Sequence, residues 1–166
     1  FRNRIMFPLI DLRGNVVAFS GRRRPEDNES AKYINTSDTL VYKKSHHLFG
    51  MNFAKNNCEE RIVLVEGNMD AVSLHQAGIE NAVALFGTAL TLEQVKLLSR
   101  YTKEIVLALD ADSAGQKAVQ RALETAKNSG INIRVLTIPD GKDPDEFVKK
   151  NGAARFNALL DGAVNE

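Results

Sequence analysis

Two apolar segments near the start of the chain predict a β-hairpin. Residues 5–10 and 16–19 are largely hydrophobic, and they flank the turn-forming sequence Arg13-Gly14-Asn15. Residues 21–47 then lose any regular hydrophobic period and carry several Lys and Arg side chains. We therefore expect a small β-rich unit with a basic, loop-rich surface over residues 1–58.

The rest of the chain alternates between short apolar runs and helical patterns. The apolar runs predict buried strands at residues 62–65, 82–85, 105–109 and 131–138. Helical patterns separate them, one of which begins with the capping-box sequence Thr91-Leu92-Glu93-Gln94. This order predicts an α/β fold, a parallel sheet flanked by helices, with its core at residues 59–140. An acidic loop and two short helices, at 143–150 and 153–161, complete the domain over residues 141–166.

Composition and charge exclude several classes of protein. The net charge is +1 and 43% of the residues are hydrophobic, which is enough for a buried core. Because Cys58 is the only cysteine, the chain has no disulfide framework and no Cys-based zinc site of its own. No apolar run approaches the roughly 20 residues of a membrane span, and no secretion signal is visible. The expected setting is the reducing cytoplasm, and a start at Phe1 without Met is expected of an excised fragment.

Charge is distributed unevenly along the chain. Residues 1–50 contain nine Lys and Arg against five Asp and Glu, whereas the remaining residues contain thirteen against sixteen. The pattern predicts that basic and acidic functions occupy different parts of the molecule.

Acidic residues follow three of the four predicted strands. They are Glu66 and Asp70 after the first strand, Asp110 and Asp112 after the third, and Asp143 and Asp145 after the fourth. Parallel strands end at a common edge, so these carboxylates should converge there and repel one another unless a cation neutralises them. All-oxygen ligation favours Mg²⁺ or Mn²⁺ over Zn²⁺, and a pair of such ions is typical of phosphoryl transfer.

Several of these acids also have a simpler interpretation. Asp112 and Asp143 could serve only as helix N-caps, and Asp70 could be a solvated helix residue. Glu66 is harder to explain in this way because Glu is a poor N-cap. The convergence of three clusters favours the metal site.

The motifs Val65-Glu66-Gly67 and Asp110-Ala111-Asp112, with Gly115, resemble the Toprim fold of primases, topoisomerases, nucleases and recombination-repair proteins. Other segments resemble bacterial replicative primases and run in that family's order over nearly all 166 residues. Examples are Glu66-Gly67-Asn68-Met69-Asp70, Lys32-Tyr33-Ile34-Asn35 and Asp140-Gly141-Lys142-Asp143-Pro144-Asp145. The sequence departs from the family at Asn68, where an aromatic residue is usual.

The resemblance implies the catalytic core of a nucleotidyltransferase that synthesises short RNA primers. It implies a centre of two or more Mg²⁺ or Mn²⁺ ions held by Glu66, Asp70, Asp110, Asp112, Asp143 and Asp145. The catalytic residues among them would be Glu66, Asp110 and Asp112. It further implies contacts to nucleotide or template from Arg22, Lys32, Asn35 and Lys44.

The implied partners are single-stranded DNA, ribonucleoside triphosphates and the RNA–DNA hybrid. The replicative helicase would bind through a domain outside this chain, no membrane is involved, and the fragment alone would be weakly active or inactive. One alternative is another Toprim enzyme, a nuclease or a topoisomerase, although no tyrosine in the chain has the context of a topoisomerase nucleophile. The other alternative is a non-enzymatic metal-binding module.

Overall fold

A three-stranded antiparallel sheet forms the first part of the molecule. The computed structural model describes residues 1–27, 29–110, 113–139, 143–162 and 164–165. The strands are β1 (Arg4–Ile10), β2 (Val16–Arg23) and β3 (Tyr33–Asn35), in the order β1-β2-β3. β1 and β2 are the predicted hairpin. β3 lies in the segment that we expected to consist of loops, and it forms because its three residues pair with the end of β2, Ser20 opposite Asn35 and Arg22 opposite Tyr33.

The second sheet contains the four expected parallel strands. They are β4 (Ile62–Val65), β5 (Ala82–Ala84), β6 (Glu104–Ala108) and β7 (Asn132–Val135), in the spatial order β5-β4-β6-β7. A two-residue strand that the sequence did not predict, β8 (Val164–Asn165), pairs antiparallel with β7 at the edge. Every residue of β4 and β5 is buried, as the uninterrupted apolar runs indicated.

Helices cover both faces of this sheet. They are α1 (Met51–Ala54), α2 (Asn68–Gln76), α3 (Leu92–Leu98), α4 (Ser113–Ala126) and α5 (Pro144–Asp161). One core joins β4 and β6 to α3 and α4, and the other joins the opposite sheet face to α2 and α5. α5 is kinked at Gly152, whose φ of 79° interrupts it where the two short helices were expected to meet. Within the ranges described, none of the helices combines the length and apolar character needed to cross a lipid bilayer.

Contacts near the carboxyl end of β5 join the parallel sheet to the segment that follows β3 and to the hairpin. The backbone amides of Phe49 and Ala84 each donate to the other residue's carbonyl, with both N–O distances at 2.9 Å. Phe86, just beyond β5, packs with Leu9 and Ala18 of the hairpin in a small separate core. The antiparallel sheet is therefore fixed beside the edge at which ligands bind in open α/β sheets.

Candidate metal and nucleotide site

A cleft of about 330 Å³ lies between the two sheets. The parallel-sheet unit contributes Glu66, Asn68, Asp70, Asp110, Asp143 and Asp145 among its lining residues, and the antiparallel sheet contributes Ser20, Arg22, Lys32, Tyr33 and Asn35. Five of the six acids singled out from sequence thus share one cavity with three of the four nucleotide-contact candidates. The sixth acid, Asp112, lies outside the described residues.

Strand order explains how the acids meet. The chain leaves β4 for β5 on one side and then returns to β6 on the other side, so β4 and β6 flank the point where the topology reverses. Glu66 directly follows β4, and Asp110 comes two residues after β6. Gly115 permits α4 to begin close behind Asp110, because a Cβ atom at Gly115 would collide with the Asp110 carbonyl.

Asp70 is the most deeply buried of the carboxylates, with only 7% of the residue exposed. Its Oδ2 atom accepts a hydrogen bond from the Gly67 amide at 3.1 Å, and its Oδ1 atom accepts one from the Asp145 amide at 3.2 Å. Burial raises the pKa of Asp70 to about 7, with further increases from the charges of Asp143 and Asp110. This carboxyl group therefore keeps its proton to a higher pH than an exposed aspartic acid does, mainly because it is buried.

Asp145 lies in the first turn of α5 and is held by two side chains. It accepts hydrogen bonds from the Ser73 hydroxyl and from Lys149, whose Nζ lies 2.6 Å from Oδ1 and 2.8 Å from Oδ2. Burial opposes ionisation of Asp145, but the hydrogen bonds from Lys149 and Ser73, with the charges of Lys149 and Arg22, outweigh it and lower the pKa. The pKa values of the two neighbouring carboxyl groups are therefore shifted in opposite directions, down for Asp145 and up for Asp70.

Asp143 combines two of the predicted roles. It is the N-cap of α5, accepting a hydrogen bond from the Glu146 amide at 2.8 Å, as the simpler interpretation of this residue required. It also lines the cleft, and its charge contributes to the raised pKa of Asp70. Asp143 therefore caps α5 and is also one of the carboxylates that line the cleft.

The donors around the cleft match a hard divalent cation. Five carboxylates line it against the two cations Arg22 and Lys32, and the charges of two of these acids, Asp143 and Asp110, add to the effect of burial in raising the pKa of Asp70. Oxygen ligands of this kind suit Mg²⁺ or Mn²⁺. Among the residues that the structure describes, no three carboxylate, imidazole or thiol groups are already gathered tightly enough to enclose an ion.

The opposite wall of the cleft is basic and aromatic. The Arg22 guanidinium carbon lies 5.9 Å from the centre of the Tyr33 ring, a cation–π distance. Lys32 is exposed, and Asn35 places its amide nitrogen against Gly87 at the end of β5. Lys44 differs from the other three candidates, since it lines an adjoining depression that shares Asn35 with the main cleft.

Sequence reasoning missed the partners of Asp145. Lys149 follows Asp145 by four residues on α5, a spacing that signals a helical ion pair. Ser73 has no such local signal because it lies on α2, 72 residues from Asp145 in the chain. Ser20, whose hydroxyl has no hydrogen-bond partner among the residues described, was also not singled out, and only the pairing of β2 with β3 brings it beside Asn35.

Two family models match this chain. The model described as Toprim-like matches residues 63–148, and the model of the DNA primase catalytic core, N-terminal domain, matches residues 1–55. A DNA primase of Clostridium acetobutylicum is 49% identical over 166 residues, which cover 99% of this chain and 28% of the relative.

Solved structures give the same comparison in three dimensions. A DNA primase domain from Pseudomonas aeruginosa superposes with a TM-score of 0.93 at 41% identity, covering 99% of this chain and 53% of that one. A DnaG primase catalytic domain bound to single-stranded DNA superposes with a TM-score of 0.90 at 39% identity, with the same coverage of both chains. The chain thus spans about half of these solved domains and a little over a quarter of the length of the Clostridium relative.

Proposed function

Because this chain belongs to the bacterial DNA primase family, with a Toprim-like domain that follows the N-terminal domain of the primase catalytic core, we propose that it supplies the catalytic centre for primer synthesis. The whole protein would join ribonucleotides on single-stranded DNA, so the activity is that of a DNA-directed RNA polymerase. The observation that carries this proposal is the single cleft in which the carboxylates of the parallel sheet face the basic strands of the antiparallel sheet.

The carboxylates would bind two or more catalytic ions, either Mg²⁺ or Mn²⁺. Glu66, Asp110 and Asp112 would form one group, and Asp143 and Asp145 with Asp70 would form the other. When bound, the ions would supply charge neutralisation and activation of the attacking 3′ hydroxyl. The protein's own contribution is to hold these carboxylates in position before the ions bind. Ser73 and Lys149 orient Asp145, and two backbone amides orient Asp70.

The opposite wall would position the nucleic acid and the nucleotide. Arg22 and Lys32 offer cationic groups to phosphates, and Lys44 extends this surface into the adjoining depression. Such contacts are independent of base sequence, and they make binding weaken as salt rises. Tyr33, which is partly exposed in the cleft, offers an aromatic face beside Arg22.

The partners follow from this chemistry. They are a single-stranded DNA template, ribonucleoside triphosphates and the RNA–DNA hybrid that they form. A similar catalytic domain has been solved with single-stranded DNA, which supports the first of these. The helicase would be contacted by regions outside this chain, and work on the bacterial chromosome would place the protein in the cytoplasm.

Replacement of Asp110 tests the proposed function. In the full-length protein, Asp110→Asn should reduce incorporation of labelled ribonucleotide on single-stranded DNA at least a hundredfold, because it removes a charged ligand from the ion site at nearly constant volume. Glu59→Gln removes an exposed carboxylate elsewhere and should leave synthesis unchanged. Circular dichroism and the unfolding midpoint of both variants establish that they are folded.

Two outcomes of this experiment would contradict the proposal. Normal primer synthesis by Asp110→Asn would remove that residue from the mechanism. Cleavage of supercoiled DNA by the wild-type protein, without ribonucleotide incorporation, would instead favour a Toprim nuclease or topoisomerase. The isolated 166-residue chain should show little or no synthesis, because it spans only about half of the solved catalytic domains.

A further inference from the structure

Ser20 carries a buried hydroxyl group with no hydrogen-bond partner. The residue is 1% exposed, and its Oγ atom has no partner in the described part of the protein. The Oδ1 atom of Asn35, directly across the β2–β3 pair from Ser20, is buried as well and has no partner within the ranges that the structure describes. Buried polar atoms are nearly always paired, so two adjacent exceptions call for an explanation.

Both residues line the cleft that holds the carboxylates. On the other side of Ser20 the sheet continues with Phe7, which is buried and offers no polar group. The Asn35 amide nitrogen is packed against Gly87, so the free atom of that side chain is its oxygen. The two buried, unpaired oxygens therefore belong to facing residues of β2 and β3, in the wall of the cleft opposite the acids.

The chemistry of these two atoms restricts what can bind them. The Ser20 hydroxyl can donate or accept, whereas the Asn35 oxygen can only accept. A phosphate oxygen carries no hydrogen at neutral pH and cannot satisfy Asn35, and Arg22 and Lys32 already offer cations for phosphates in the same cleft. The matching ligand group must carry its own O–H or N–H.

We propose that Ser20, together with the Asn35 oxygen, hydrogen-bonds a sugar hydroxyl of the bound ribonucleotide. This inference rests on the function proposed above. A sugar hydroxyl fits better than a base N–H, since all four ribonucleotides share the sugar and a primer-synthesising enzyme must accept each of them. The test below decides between the 2′ and the 3′ hydroxyl, and a contact to the 2′ hydroxyl would make Ser20 a residue that distinguishes ribonucleotides from deoxyribonucleotides.

The test compares nucleotides that differ by one hydroxyl. Binding of ATP, 2′-deoxy-ATP and 3′-deoxy-ATP to the full-length protein is measured by calorimetry with Mg²⁺, for the wild type and for Ser20→Ala. We expect Ser20→Ala to weaken ATP binding about fivefold to tenfold, as the loss of one hydrogen bond would. One of the two deoxy analogues should bind both proteins equally well, because it lacks the hydroxyl that Ser20 contacts. Ser99→Ala, which alters an exposed serine at the C-terminal end of α3 that does not line the cleft, should change none of these affinities.

The unfolding midpoint separates a binding role from a structural one. Removing a hydroxyl that has no partner should leave the midpoint of Ser20→Ala unchanged or raised. A lowered midpoint with unchanged ATP affinity would mean that the hydroxyl serves the fold, and it would overturn the inference. Equal weakening with ATP and both deoxy analogues would overturn it too. If the wild-type protein fails to bind ATP, the proposed function itself falls, whereas wild-type binding that Ser20→Ala leaves unaltered rejects the role of Ser20 alone.

Discussion

Asp70 provides a direct test of the crowded carboxylates. Its pKa is raised from 3.8 to about 7 by burial and by the charges of Asp143 and Asp110. The folded state therefore binds the proton more tightly than the unfolded state does. The stability that this proton contributes is fully present below about pH 3.8 and is lost as the pH rises through about 7.

The size of the effect follows from the shift in pKa. The full shift corresponds to about 4 kcal/mol of unfolding free energy, of which about 3 kcal/mol develops between about pH 5 and about pH 8. Asp70→Asn cannot ionise and so lacks this dependence. It also loses one accepted hydrogen bond, because an amide has a single acceptor oxygen, but this cost of about 1 kcal/mol does not vary with pH.

The assay is urea unfolding of the wild type and Asp70→Asn at several pH values, with a chelator present. The difference in unfolding free energy between the two proteins should shift by about 3 kcal/mol in favour of Asp70→Asn from about pH 5 to about pH 8. Addition of Mg²⁺ at the higher pH should stabilise the wild type more than the variant, since a cation favours the ionised carboxylate. Parallel pH profiles for the two proteins would show that Asp70 titrates normally, and they would refute the claim that burial and neighbouring charges hold its proton in place.

Two further predictions concern the elements that support the cleft. Gly115→Ala should destabilise the protein by about 2 kcal/mol and weaken Mn²⁺ binding in a titration, because the new Cβ meets the Asp110 backbone. Gly162→Ala, whose Cβ would find only contacts of 3.7 Å and beyond, should be nearly neutral in urea unfolding, and equal effects of the two changes would count against the close approach at Asp110. Thr91→Ala should cost about 1–2 kcal/mol in the same assay, because Thr91 caps α3 and also donates to the Ser45 carbonyl at 2.6 Å. Thr91→Ser keeps both hydrogen bonds and should retain most of the stability, so an equal loss in the two variants would refute the assignment of the cap.

The hydrophobic pattern was sufficient for most of the fold. Uninterrupted apolar runs marked the four parallel strands because both faces of such a sheet are covered, and a local capping sequence marked the start of α3. β3 and β8 escaped prediction since each is only two or three residues long and carries no period of its own. They exist because an existing strand edge offers them hydrogen bonds.

The acidic site could be anticipated for a related reason. Carboxylates that directly follow parallel strands must reach the same edge, so the positions of Glu66 and Asp110 in the chain already implied their proximity. The environment of each acid could not be anticipated in this way. The lowered pKa of Asp145 depends on Ser73, which is distant in the chain, as well as on the neighbouring Lys149, and the raised pKa of Asp70 depends on how completely the packed helices exclude water.

The sequence by itself therefore determined the order of the elements, the α/β class and the gathering of acids at one sheet edge. These properties depend on short-range periodicity and on chain direction, which can be read locally. Only the tertiary structure decided that the antiparallel sheet closes over that edge and brings Ser20, Arg22 and Asn35 into the same cleft as the acids. Desolvation and contacts between residues distant in the chain arise only when the two sheets pack together, and no local pattern encodes them.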